Sequence, residues 1–202
     1  MNKVQDIIEK IKVLEKALLL ETQKKEAEFF YTIKKNKVYF DKKTKKQHKQ
    51  LTTTIITYLL ESSPWSIITV PVMWFCIVPA VFMDLVITLY QLICFTAHGI
   101  PKVKRENYIV IDHHSLGYLN IIEKFNCIYC SYFNGLIAYI QEIAARTEQH
   151  WCPIKHARKL GSIHSRYHKY LEYGDHEEFK KCFVEISNDY DDLIDDNTRK
   201  PD

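Results

Sequence analysis

Glycine is scarce in this chain: five residues in 202. Phosphate-cradling loops are built from glycine, and neither G-x-x-x-x-G-K-[ST] nor G-x-G-x-x-G occurs. H-E-x-x-H and the G-x-S-x-G elbow are also missing. P-loop nucleotide hydrolysis and Rossmann-type hydride transfer are thereby disfavoured. A charge of one sign is lacking too. The formal net charge is +3, which gives no ground for expecting nucleic acid as a partner. The first twenty residues carry Asp6, Glu9, Lys10, Lys12, Glu15 and Lys16 among their apolar positions, so they form no clean signal-peptide core. Six cysteines without such a signal point to a reducing compartment, where thiols are buried, metal-bound or reactive.

Charge is absent from one long stretch in particular. Trp65–Ala97 contains a single ionisable acid, Asp84, and Trp65–Met83 is nineteen uncharged residues. A membrane helix needs about 20 such residues to cross a hydrocarbon core of about 30 Å. Ser63 followed by Pro64 is a helix start, and Gly99 followed by Pro101 is a helix stop. As one straight helix the segment would run to about 50 Å and overshoot a bilayer. Pro71 and Pro79 favour kinks. Both flanks are basic, with Lys42–Lys49 before and Lys102, Lys104 and Arg105 after. The positive-inside tendency would keep both in the cytoplasm. A re-entrant or hairpin insertion is favoured over a single span, and membrane lipids are the expected partners.

Around this segment the pattern is globular. Val4, Ile7, Ile11, Leu14 and Leu18 follow 3-4 spacing, which predicts an amphipathic helix that packs on its own protein or pairs with a second copy or another membrane protein. Phe29–Ile33 and Val38–Phe40 predict a hairpin, and Leu51–Leu60 a short helix. Eight lysines between Lys34 and Lys49 suit anionic head groups at about 1 kcal/mol each. After Pro101, the run Tyr108–Ile111 reads as a buried strand. Helices are expected over Leu116–Phe125, Gly135–Glu148, Ala157–Tyr173 and His176–Ser187, the last capped by Asp175. The acidic tail from Asp189 is expected to fray. The fold class is therefore mainly α. A kinked apolar membrane helix is joined to a small α-rich cytoplasmic domain with one or two short strands. The expected division is residues 1–62, 63–99, 100–188 and 189–202.

One constellation suggests chemistry. Cys127 and Cys130 form C-x2-C, and Cys152 and His156 form C-x3-H after 21 intervening residues. Three thiolates and an imidazole suit tetrahedral zinc, whose ligation would couple to folding. An iron–sulfur cluster is the lesser alternative, kept open by Cys152 preceding Pro153. His113 and His114 follow the expected strand at Asp112 and are candidates for acid–base chemistry.

Together, Ile100–Arg105, Tyr108–His114, Glu123–Cys130 and Thr147–Arg158 give a C-x2-C … C-P-x2-H pattern. On these motifs the chain resembles a group of hypothetical small bacterial membrane proteins. The resemblance covers residues 64–158 and implies a bacterial origin, with no activity to carry over; with the apolar segment, the bacterial inner membrane is the expected location. Three functions follow as expectations. The first is a membrane-anchored binding or assembly protein with a structural zinc domain. The second is a monotopic enzyme acting on a lipid or lipid-linked substrate, and the third is an iron–sulfur redox protein.

Overall fold

The computed structural model describes residues 3–29, 31–34 and 37–193. The chain is mainly helical, 70% helix against 4% strand, and among the described residues one helix is long and apolar enough to cross a membrane. It divides into two units: residues up to Ser62 together with Asp112–Ile128, and Ser63–Ile111 together with the described residues from Tyr129 on.

The first unit opens with α1 (Lys3–Glu28). Next comes the expected hairpin, β1 (Tyr31–Lys34) and β2 (Lys37–Phe40), with Tyr31 opposite Phe40 and Lys34 opposite Lys37. Asp41 caps α2 (Lys42–Gln50), its carboxylate accepting from the backbone N–H of Lys42 at 2.8 Å. The basic run is thus helical, and the short helix expected at Leu51 starts later, as α3 (Ile55–Glu61). His48 turns inward and meets Phe40 and Tyr118 edge-on at 4.9 and 5.0 Å.

The second unit is organised by two long helical segments. The apolar one comprises α4 (Pro64–Phe75), α5 (Ile77–Tyr90), a π-helical turn at Gln91–Phe95 and α6 (Thr96–His98). Its break at Cys76 has a local cause. Pro79 has no N–H for the carbonyl of Phe75, and its ring crowds that carbonyl. Gly99 ends the segment at φ +68°, and Ile100 N–H reaches back to the Phe95 carbonyl at 2.9 Å. This is a Schellman closure, with Phe95 and Ile100 both in the core.

The other segment is α7 (Ile121–Trp151), 31 residues without interruption, of which those up to Ile128 belong to the first unit and those from Tyr129 to the second. It starts at a reciprocal capping box. Asn120 N–H donates to Glu123 Oε2 at 2.8 Å, and Glu123 N–H donates to Asn120 Oδ1 at 3.0 Å. The sequence suggests two helices here, Leu116–Phe125 and Gly135–Glu148, where the chain is helical from Ile121 to Trp151 without a break. The glycine instead permits close packing: a Cβ at 135 would lie 2.6 Å from the Tyr108 carbonyl oxygen and 2.9 Å from Ile109 Cα. Gly135→Ala should therefore destabilise by about 1–3 kcal/mol through overpacking, outweighing the roughly 1 kcal/mol of helix propensity that alanine adds. Thermal unfolding of detergent-solubilised protein checks this. Gly161→Ala, where nothing lies within 4 Å of the added Cβ, should leave the midpoint unchanged.

Two further expectations are corrected. Tyr108–Ile111 is not a buried strand: it follows a 3-10 turn at Arg105–Asn107, and Val110 and Ile111 are exposed. Ala157–Tyr173 is not a helix. It is loop with a 3-10 turn at Tyr167–Lys169, tied down where Lys155 N–H donates to the Leu171 carbonyl and Leu171 N–H to the Pro153 carbonyl. Next comes α8 (His176–Asn188), where Asp175 accepts from the backbone N–H of Glu178 at 2.9 Å, as expected of an N-cap.

Candidate functional site

The apolar segment has two faces. One is a seam of buried and half-buried positions at Val70, Met73, Ile77, Ala80, Asp84, Ile87 and Gln91. Its 3-4 spacing matches a second seam on α7, through Tyr129, Tyr132, Leu136, Tyr139, Ile143 and Arg146. The segments run parallel. Asp84 meets Tyr132, Gln91 Nε2 donates to Tyr139 Oη at 3.0 Å, and the His98 ring lies 4.8 Å from that of Trp151. The uniform greasiness of the first segment hides its pattern, because exposed and buried positions are equally apolar.

The other face is solvent-exposed and apolar. Trp65, Ile68, Val72, Phe75, Val78, Phe82, Leu85, Leu89 and Leu92 recur at three- and four-residue steps, each between 49 and 76% exposed. Asp84 does not interrupt this stripe. Its carboxylate points to the seam side, where Arg105 Nη2 donates to Oδ2 at 2.7 Å and Arg105 Nε to Oδ1 at 3.3 Å. Tyr132 Oη donates to Oδ2 at 2.9 Å. The lone acid of the apolar segment is thus paired to the polar part of its own unit. Its guanidinium partner is itself held protonated by this carboxylate.

The four proposed metal ligands are not brought together. Cys127 and Cys130 sit one turn apart within α7, so C-x2-C here is helical spacing and not a metal-gripping turn. Cys130 and Cys152 are separated by the rest of that helix, about 33 Å at 1.5 Å per residue. Among the described residues no group of three or more His, Cys, Asp or Glu side chains could hold a metal ion. His113 and His114 lie in a 3-10 turn of the first unit. His113 Nδ1 is 3.3 Å from Asp112 Oδ1, and both side chains are about half exposed.

The polar side chains that do converge lie where α7 ends. Glu148 stands between two histidines, with Oε2 3.0 Å from His164 Nε2 and Oε1 4.0 Å from His156 Nε2. His164 Nδ1 accepts from the backbone N–H of Arg166 at 3.2 Å, so both of its ring nitrogens are engaged. His156 is 57% exposed; its ring stacks on Tyr167, and its backbone N–H donates to Tyr167 Oη at 2.9 Å.

Beneath this cluster Arg166 is buried, at 2% exposure. It donates to Gln149 Oε1, to both Asp192 carboxylate oxygens and to the Asp189 carbonyl. Burial opposes ionisation of Asp192, but hydrogen bonds from Arg166 and Lys169 outweigh it and hold the carboxyl at about 2. The first residues of the acidic tail are therefore folded onto the unit, contrary to the expected fraying; residues 194–202 lie outside the described residues. Burial also raises the Tyr190 phenol to about 12 and the Tyr170 phenol further. Both hydroxyls donate to α7 carbonyls, at Arg146 and Ala145. No sequence motif announces this network, since its members are scattered over fifty residues.

No family model, curated protein or solved structure matches the chain.

Proposed function

We propose that this is a membrane-embedded protein whose Trp65–Leu92 stripe lies in lipid, in the plane of the membrane, while the seam face holds a water-facing helical body with a binding or assembly role. The observation carrying this reading is the exposure of the apolar segment: 6% of its most apolar 18-residue window is buried. An apolar face of that length left in water would be a large exposed patch of the kind that marks a membrane or protein contact.

In-plane insertion is preferred to a crossing for two reasons. The segment is 35 residues, about 52 Å, against a core of about 30 Å. A helix crossing through Asp84 would also draw Arg105 and the irregular chain around Val103, whose N–H binds Gln91, towards hydrocarbon. Exposed irregular backbone is not tolerated there. Lying flat, the helix keeps the basic flank Lys102–Arg105 out of the hydrocarbon, on the cytoplasmic side of a bacterial inner membrane by the positive-inside tendency. A binding or assembly role is favoured over zinc or iron–sulfur chemistry because α7 separates the thiols such a site would need.

The test is topological. Tags at the two ends of the chain should be protease-accessible from the same face of sealed membrane vesicles. Accessibility from opposite faces would overturn in-plane insertion in favour of a crossing.

A further inference from the structure

The loop that leaves α7 gathers cations beside the embedded segment. His156, Arg158, Lys159, Ser162 and Tyr167 line one open concavity. The loop starts where His98, the last residue of α6, packs its ring on His150 and Trp151, at 5.2 and 4.8 Å. It therefore emerges at the end of the helix proposed to lie in lipid. Ile163 and Trp151, 64 and 46% exposed, add apolar surface at this end.

Five carboxylates of the same unit have partners of their own. Glu148 is taken by His164, Glu172 by Lys155, Glu142 by Arg146 and Ser165, and Asp189 and Asp192 by Lys169 and Arg166. Arg158 and Lys159 have no acidic partner among the described residues. A concave loop whose guanidinium and ammonium have no internal anion, beside a hydroxyl and a histidine that Glu148 approaches only to 4.0 Å, is chemically matched to a phosphate group. Arginine offers it a two-pronged donor, and lysine a point charge.

We propose that this loop is a phosphate-binding site that takes the head group of an anionic phospholipid. The proposal rests on the membrane reading for the source of its ligand. A head-group source is favoured because the loop and the lipid-facing stripe end at the same place in one unit.

The full-length protein in detergent is mixed with vesicles of phosphatidylcholine alone, or of phosphatidylcholine with phosphatidate, and flotation is measured. Wild type should float with both, more strongly with phosphatidate. Arg158→Gln with Lys159→Gln should leave flotation with phosphatidylcholine unchanged and reduce the phosphatidate increment on the order of tenfold. Lys180→Gln with Lys181→Gln, on α8, removes the same charge and should keep most of the increment.

Equal loss from both double variants, or no loss from the loop variant, would overturn the site. Failure to float with phosphatidylcholine would instead overturn the membrane reading. Inorganic phosphate added to the phosphatidate sample separates the two ligand sources. Weak competition supports a head-group site. Abolition of the increment at low concentration, with sulfate at equal ionic strength ineffective, would overturn it in favour of a site for free phosphate.

Discussion

Arg166→Ala should cost about 3–5 kcal/mol of stability, the range for removing one partner of a buried charge network. Several losses coincide at this position. Gln149, which is fully buried, loses the donor to its amide oxygen while its Nε2 remains bound to the Ile186 and Asp189 carbonyls. The guanidinium also lies 5.5 Å from the centre of the Tyr190 ring, so its removal opens a cavity next to an aromatic core residue. Asp192 loses both hydrogen bonds from Arg166 but is 46% exposed and can rehydrate; the larger share of the cost therefore falls on Gln149 and the cavity. Lysine should rescue only in part, since a single ammonium cannot serve Gln149, Asp189 and Asp192 together.

The acid limb supplies an independent readout. Asp192 is depressed to about 2 in the folded protein, against about 3.9 for an unfolded aspartate. Its ionic contribution is fully present above about pH 4 and is lost as the pH falls towards 2. Arg166→Ala should flatten this part of the stability–pH curve. Urea unfolding of the detergent-solubilised protein at a series of pH values measures both effects. An Arg166→Ala midpoint within error of wild type would show that the network is not holding the unit.

How much of this was readable beforehand depends on the range of the forces involved. Segment 64–98 announces itself because a run without charge needs no knowledge of its neighbours. The hairpin and the Asp175 cap are equally local. Three features were hidden because their causes are distant in sequence. Gly135 reads as the start of a second helix until the backbone of Tyr108 and Ile109 is placed against it. Asp84 reads only as the single acid of the apolar segment, and the Arg105 that pairs with it lies 21 residues on, beyond any helical periodicity. Cys127 and Cys130 read as a metal grip because C-x2-C is ambiguous. In a turn it aims two thiols at one ion, whereas within a helix it is i,i+3 spacing. Whether α7 continues through them is decided by the tertiary packing of its seam. The Glu148–His156–His164 cluster was missed for the same reason, since it depends on a non-helical path from 152 to 175 that buried Arg166 and Tyr170 impose.

Charges placed on the stripe should release the protein from the membrane without unfolding it, and their position should distinguish in-plane insertion from a crossing. Val72 and Leu89 are 69 and 49% exposed, so replacing either removes little internal packing. Aspartate in hydrocarbon costs up to about 3 kcal/mol on insertion scales and less near the interface. For a helix lying flat, both positions sit at similar depth. Val72→Asp and Leu89→Asp should then weaken vesicle flotation by similar factors, each on the order of tenfold, and together by on the order of a hundredfold. For a crossing built on the uncharged stretch before Asp84, Val72 lies near mid-membrane and Leu89 lies beyond the acid that marks the boundary. Val72→Asp should then dominate and Leu89→Asp should do almost nothing. An unchanged thermal midpoint in detergent for both variants would show that the stripe serves lipid and not the fold. A large drop would mean that these side chains are packed, and the membrane reading would lose its main support.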